Sequence, residues 1–413
     1  MANLDLLSST SRVEVPFIIA TIGGYTFGSY NKENMGNTIN VNYPNYMQSL
    51  EITKINGTVN TYTLSIKYSI RQGEDPNLFE KIFSRAKNDR LITLTYGDYT
   101  VPSYIYKEEE CMITDIKSNF DFNSMSIQYT IKCISKAGLL NAGKYYFHRK
   151  FAKPSDEIKR ILYSNEYNLL DIFKGMYDRD LVNSKGLIAS DDLAVTIEAK
   201  ECSIFEYLNY LVSCMLPYDS SKLSNINSNK YVLAVYDDIS GDLGGTYFKV
   251  SNIVTTAKNI NSLDTFEIDI GYPSNANVMS FNIDDSQTYS LLYDYSGEIK
   301  QPEYIYRIND EGDIETTYSP NITNNTSLMK TTAADKSWWT QVTQYPINAT
   351  LTLKGLLKPA VLMTYVKLNV LMYGRKHISS GLYIITKQVD TINATGYRTS
   401  LRLTRVGGDT DGN

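Results

Sequence analysis

Residues 50–70, LEITKINGTVNTYTLSIKYSI, decide the fold class of this chain. From Thr61 onward, apolar or aromatic residues alternate with Thr, Ser and Lys, which is the period-two pattern of a half-buried β-strand. The preceding residues 50–55 predict a partner strand, and Asn56-Gly57 supplies residues that tolerate positive φ in a tight turn. The stretch therefore predicts a β-hairpin.

The same reading extends outward into a mainly β chain with α+β insertions. A short amphipathic helix is predicted after Asp75-Pro76, and further strands complete a first β domain over residues 1–140. Helical periodicity from Pro154 onward predicts a mixed α+β middle domain over residues 141–265. Residues 266–281 and 345–413 predict a second β domain. Residues 282–344 lack strong periodicity, contain Trp338-Trp339 and are interpreted as an insertion.

Composition excludes several classes of function. The 413-residue chain has a net charge of −5 and no basic stripe, which disfavours nucleic-acid binding. No apolar run approaches the roughly 20 residues of a membrane span, and the N-terminus does not resemble a secretion signal, so no membrane anchor is expected. The 34 tyrosines favour a β protein with much subunit contact.

The four cysteines, at positions 111, 133, 202 and 214, have neither zinc-site nor redox spacing. We interpret them as reduced thiols of the core.

The first and last β regions share an order of sequence signals, which indicates an internal duplication. Each has a Tyr-Gly pair (96–97 and 373–374) followed by an Ile-Thr strand (113–114 and 385–386). The spacing 113–131 equals 385–403, and residues 50–54 are matched with 350–354. Two copies of one domain per chain would let a trimer present six similar domains in a ring.

Three C-terminal segments carry a resemblance to a known family: NVLMYG (369–374), SGLYIITK (380–387) and GYRTSLRL (396–403). They resemble the second tube-like domain of baseplate hub proteins of contractile-tailed bacteriophages, in the late-control and spike-adaptor superfamily. Residues 51–57, 60–62, 75–77 and 266–281 are similar to the tube-like domains of the same family.

The resemblance implies a homotrimeric structural protein of the virion tail baseplate, assembled in the host cytoplasm. Its two tube-like β-barrel domains per subunit would form a ring continuous with the tail tube. The expected partners are the tail tube protein, the central spike protein and other baseplate subunits. The genome would pass through the channel without specific binding.

The residues that could carry chemistry favour structural roles. His148 lies in a basic aromatic patch and His377 in a predicted turn, so neither is placed for catalysis. Carboxylate clusters at 108–110, 191–192, 237–238 and 284–285 are interpreted as solvated turns. We therefore predict no enzymatic activity, no catalytic, cofactor-binding or metal-binding residues, and no cofactor. A receptor- or glycan-binding tail protein that uses Trp338-Trp339 and a cell-wall hydrolase remain as alternatives.

Overall fold

The strand bounds follow from a computed structural model of the chain. It describes residues 16–28, 44–71, 74–85, 90–98, 107–149, 151–163, 167, 169, 187–190, 192–215, 229–238, 245–254, 265–271, 278–285, 304–308, 314–318, 324–325, 347–354, 362–373, 375–377 and 379–407. The strands are β1 Pro16–Ile22, β2 Tyr25–Gly28, β3 Met47–Ile55, β4 Thr61–Ser69, β5 Leu91–Asp98, β6 Lys107–Asp121, β7 Ser126–Ser135, β8 Tyr145–Phe147, β9 Phe151–Ala152, β10 Val195–Thr196, β11 Lys200–Cys202, β12 Asn229–Asp238, β13 Gly245–Val254, β14 Thr265–Ile270, β15 Val278–Asp285, β16 Tyr304–Ile308, β17 Ile314–Tyr318, β18 Asn324–Asn325, β19 Ile347–Lys354, β20 Tyr365–Met372, β21 Arg375–Lys376, β22 Gly381–Asn393 and β23 Gly396–Gly407. The helices are α1 Leu78–Arg85, α2 Pro154–Tyr163 and α3 Ile204–Cys214, with a 3-10 helix at Lys136–Asn141.

One large sheet runs through both ends of the sequence. Its strand order is β15-β19-β23-β22-β3-β4-β7-β6-β5-β1-β2, and β20 pairs with β22 and with β14. We call β1 to β7 the first half and β14, β15, β19, β20, β22 and β23 the second half. The predicted fold class, mainly β, is confirmed.

The predicted hairpin forms, but its connection is wider than a two-residue turn. Strands β3 and β4 pair from Met47↔Ile66 to Thr53↔Thr61. Gly57 has a φ of +73° and its N–H donates to the carbonyl of Leu233 in β12 at 2.8 Å. The conformation of this loop therefore depends on its contact with β12 as well as on its own sequence.

The helix α1 packs against the sheet of the first half, as predicted. Its apolar stripe places Phe79 and Ile82 in the core, both almost fully buried. The ring of Phe79 contacts several aromatic rings at centroid distances below about 6 Å, including those of Tyr68 and Tyr129. This aromatic packing fixes the helix against the sheet.

A separate hydrophobic cluster forms between the halves in sequence, built from α2, α3, β12 and β13. The N-terminus of α3 has a capping box, in which Ser203 Oγ accepts from the Glu206 N–H and the Glu206 carboxylate accepts from the Ser203 N–H. Within residues 282–344, the described part contains the three short antiparallel strands β16, β17 and β18, which the weak periodicity did not predict. Trp338-Trp339 lie outside the described residues.

The two halves repeat a five-strand arrangement, in which β3-β4-β7-β6-β5 corresponds to β15-β19-β23-β22-β20. In the hairpin β6–β7 the register shifts after Ile113↔Cys133, and in β22–β23 it shifts after Ile385↔Leu403. The bulged threonines, Thr114 and Thr386, each donate a hydroxyl hydrogen bond across the hairpin, to the carbonyls of residues 132 and 402. The hairpins therefore carry the same bulge in the same place.

A second bulge is repeated as well. The register of β3 with β4 shifts between Met47 and Ser49, and that of β15 with β19 shifts between Val278 and Ser280. Bulges add one residue at a defined position, so their coincidence at two separate places indicates that the halves are structural repeats. The repeat ends at the next strand, because β1 is antiparallel to β5 whereas β14 is parallel to β20.

The registers correct three details of the predicted duplication. Residues 96–97 correspond to 370–371 and not to 373–374. The reason is that the pair Leu91↔Met112 of β5 and β6 occupies the same place in the repeat as the pair Tyr365↔Ile384 of β20 and β22. Residues 350–354 lie in β19, which corresponds to β4 and not to β3. The equal spacing was a coincidence, since the first hairpin has four residues in its turn and the second has two.

Candidate assembly interface

The two halves are joined by antiparallel pairing of β22 with β3, from Lys387↔Ile55 to Asn393↔Ser49. The side chains of Ile392, Leu50 and Ile52 are almost fully buried there. The long strand β22 thus has two partners along one side, since residues 381–384 pair with β20 and residues 387–393 with β3. We call the pairing of β22 with β3 the internal joint.

A buried polar network crosses the internal joint and is centred on Glu109 of β6, whose exposed fraction is 2%. Its carboxylate accepts hydrogen bonds from Lys54 Nζ, from the Tyr96 hydroxyl at 2.7 Å and from the Tyr62 hydroxyl at 2.7 Å. Burial on its own lowers the pKa of Lys54, but the charge and hydrogen bond of Glu109, helped by two more distant carboxylates, raise it. The ammonium of Lys54 is therefore held in its charged form.

Asp237 of β12 brings the middle region into this network. It accepts hydrogen bonds from Asn60 Nδ2 at 2.6 Å, from the Thr246 hydroxyl at 2.6 Å and from the Tyr62 hydroxyl at 3.1 Å. Burial, followed by the charge of Glu109, raises the pKa of Asp237 above its usual value. The network thus contains more carboxylates than ammonium groups.

Asp390 of β22 forms the second-half side of the network. It accepts from Gln388 Nε2 at 2.6 Å, from the Thr399 hydroxyl at 2.6 Å and from the Tyr397 hydroxyl at 3.2 Å. The ring of Tyr397 lies 6.3 Å from that of Tyr96 in a T-shaped arrangement. Satisfied buried polar groups of this kind fix one geometry, because any displacement leaves a donor or acceptor without a partner.

The interpretation of the carboxylate clusters as solvated turns is wrong for Glu109, Asp192 and Asp237, which are buried. Residues 284–285 end β15. Asp192 accepts hydrogen bonds from the main-chain N–H and the hydroxyl of Ser155, at 2.9 and 2.5 Å, at the start of α2. These acids are tied by donors that are distant in sequence, which local patterning does not show. They serve as structural links between elements.

The two histidines are not brought together with these acids. His148 is exposed, and its ring stacks on that of Tyr146 at 6.4 Å. His377 lies in the predicted turn, half-buried, with Nδ1 2.7 Å from the hydroxyl of Ser379.

All four cysteines are free thiols in the structure. Cys111 and Cys133 are buried in β6 and β7, while Cys202 precedes α3 and Cys214 ends it. Across the described ranges, no group of His, Cys, Asp and Glu side chains has the arrangement of a metal site. No helix in those ranges is long and apolar enough to cross a membrane.

Several edges of the large sheet, those of β2 and β14 among them, have no strand partner among the described residues, and two further edges lie at equivalent places of the repeat. Residues 115–121 of β6 extend past β5, whose pairing ends at Met112, and the side of β15 away from β19 has no described neighbour. Large apolar residues are exposed at both edges: Phe120 by 51% and Ile283 by 40%. Exposed strand edges with apolar side chains are typical sites of protein association.

The sequence matches no protein-family model and no curated protein. Its fold is similar to those of several solved structures. A tail protein from Neisseria meningitidis MC58 is 8% identical, with 94% of this chain and 96% of that chain covered and a TM-score of 0.49. The 43 kDa tail protein of prophage MuSo2 from Shewanella oneidensis is 11% identical, with 96% and 99% covered and a TM-score of 0.48.

A third similar structure is the E. coli c3393 protein, a component of the type VI secretion system described as structurally similar to the T4 bacteriophage tail proteins gp27 and gp5. It is 8% identical, with 88% of this chain and 75% of that chain covered and a TM-score of 0.43. The solved structures with similar folds are thus phage tail proteins and type VI secretion proteins. The similarity concerns the fold.

Proposed function

We propose that this chain is a non-enzymatic structural subunit of a phage tail baseplate, the hub that joins the tail tube to the central spike. Three copies form a ring around the channel through which the genome passes. The ring binds the tail tube protein on one side and the spike protein on the other, with other baseplate subunits around it.

One observation carries this proposal: the chain contains the same five-strand unit twice, with both bulges in the same places, and joins the two units in one sheet. A single chain that repeats one unit turns three copies into six similar units. Such a ring fits a sixfold tube at one face and a threefold spike at the other. The resemblance of residues 369–374, 380–387 and 396–403 to the second tube-like domain of hub proteins supports the same reading.

The buried network favours an assembly role over catalysis. Glu109, Asp237 and Asp390 are each at most 3% exposed and their oxygens accept hydrogen bonds from protein donors. A catalytic carboxylate needs access to a substrate. These acids instead link three parts of the fold, which suits a subunit that must hold its shape under mechanical load.

The test is the mass of the purified full-length protein, measured with and without a tail tube protein and a spike protein. The proposal predicts particles of three times the 46.8 kDa chain mass, a ring in electron micrographs, and capture of both partners. A particle that remains one chain with both partners present contradicts it. Affinity of the isolated subunit for glycans, or clearing of a peptidoglycan gel, would instead favour the glycan-binding or hydrolase alternative.

A further inference from the structure

We propose that neighbouring copies are joined by antiparallel pairing of residues 115–121 of β6 with β15 of the next copy, in the register of the internal joint. This inference rests on the proposed ring and names the contact that closes it.

The internal joint is the template. There β22 pairs with β3, with Ile392 opposite Leu50 and Asp390 opposite Ile52. Because β6 corresponds to β22 and β15 to β3, each chain carries a second copy of both partners of this joint. Within one chain, β6 and β15 lie at separate places in the strand order and do not pair with each other. A second chain supplies the missing partner for each.

The repeat fixes the register of the proposed contact. The bulge in β6 equates Phe120 with Ile392 and Ser118 with Asp390. The bulge of β15 corresponds to that of β3, and β19 pairs with β23 in the register in which β4 pairs with β7. Residue 281 is therefore equivalent to Leu50, and residue 283 is equivalent to Ile52. The register therefore places Phe120 opposite Phe281 and Ser118 opposite Ile283 of the next copy.

The pairing of β6 indicates that, among the described residues, a partner strand is missing along part of its length. Strand β22 uses its first residues to pair with β20 and its last residues to pair with β3. Strand β6 uses its first residues in the same way, to pair with β5, but its residues 115–121 have no described strand on that side. The main-chain groups along such an edge are directed toward a strand that would complete the sheet.

The exposed fractions of equivalent side chains differ between the internal joint and the two free edges. Leu50, Ile52 and Ile392 are at most 1% exposed inside the internal joint. At the two free edges, Phe120 is 51% exposed and Ile283 is 40% exposed. The repeated positions thus differ in burial where the internal joint has a partner strand and the edges have none. Two unlike edges on one chain make a head-to-tail contact, which generates a closed ring when the rotation per subunit fits.

Disulfide trapping tests the register in the full-length protein. Opposite residues of an antiparallel pair lie at Cα distances of about 4.5–5.5 Å, within the range that a disulfide spans. The paired variants are Phe120→Cys with Phe281→Cys, and Ser118→Cys with Ile283→Cys. The matched control is Asn119→Cys with Phe281→Cys, since a shift of one residue turns the side chain to the other face. The wild type, with its four native thiols, gives the background.

Mild oxidation followed by non-reducing electrophoresis should give cross-linked species of two and three chains and none larger. The cross-linked fraction in both paired variants should exceed that of the one-residue control by tenfold or more. If the protein is trimeric by mass but the paired and control variants cross-link equally, the edge contact is wrong while the hub proposal stands. If the protein is neither trimeric with its partners nor cross-linked, both proposals fail.

Discussion

Neutralising Glu109 should open the internal joint. Glu109→Gln keeps the size of the side chain and one acceptor oxygen, but it removes the charge that faces Lys54, whose side chain is 9% exposed. Removing one partner of a buried ion pair costs roughly 3–5 kcal/mol, because the other charge stays in a medium of low polarity. The other carboxylates that act on Lys54 offset part of this loss, so we expect about 3 kcal/mol.

Hydrogen exchange measures this loss at the joint itself and does not require two-state unfolding of the whole chain. A loss of about 3 kcal/mol corresponds to a roughly 100-fold increase in the population of the open state. Main-chain amides of β3 and β22 should therefore exchange about 100-fold faster in Glu109→Gln than in the wild type. Amides of α1, which is packed in the aromatic cluster, serve as the internal control.

A double-mutant cycle separates the ion pair from general damage. Lys54→Met alone should also accelerate exchange, because it leaves the Glu109 charge buried without its ammonium partner. The double variant should be less damaged than the sum of the two single variants by about 2 kcal/mol or more, since no unpaired charge remains. Exchange in Glu109→Gln within threefold of the wild type, or simple additivity, would refute the reasoning.

Three further substitutions have predictable effects on unfolding. The raised pKa of Asp237 means that folding favours its protonated form. The free energy of unfolding of the wild type therefore falls as pH rises from about 4 through the pKa of the folded state. Over that window, urea titrations should show the stability of Asp237→Asn increasing relative to that of the wild type. Gly271→Ala should destabilise the fold by about 1–3 kcal/mol, because φ is +89° and the added Cβ would lie 2.2 Å from a carbonyl oxygen. Gly245→Ala is the control, because its added Cβ meets nothing within 4 Å, and calorimetry should show a smaller loss of stability. Tyr207→Phe should leave the melting temperature unchanged or raise it, because the buried hydroxyl has no hydrogen-bond partner among the described residues; a drop of several degrees would contradict this.

Local patterning predicted the elements, and its limits are visible at particular residues. The alternation in β4 and the apolar stripe of α1 depend on neighbours in sequence, so both were readable. The pairing of β22 with β3 joins residues more than 300 apart in the chain, and alternation shows which face is buried without showing which strand lies alongside. Gly57 was readable as a turn residue, but the carbonyl that its N–H meets belongs to the distant strand β12.

The buried network has one signal in the sequence. Leu50, Ile52 and Lys54 share one face of β3, so the lysine lies in the row that enters the core. A lysine on a buried row requires an acid on another element, yet the sequence does not name Glu109 among the 45 acidic residues. The shared order of sequence signals predicts the duplication, but the alignment of the two halves depends on bulges, which appear only as shifts in strand register.

The contrast between the internal joint and the free edges is consistent with the order in which they form. The internal joint contains Gln388 and Asp390, whose hydrogen bonds are satisfied during folding of one chain and would be costly to leave open. At the corresponding positions β6 has Ile116 and Ser118, which carry no charge and can remain in water before a neighbour arrives. The face of β6 that carries Ile116, Ser118 and Phe120 has no charged side chain, so covering this face avoids the desolvation of charges at each association step. The same five-strand unit can therefore hold its own chain together through polar links and present an edge that another copy can cover.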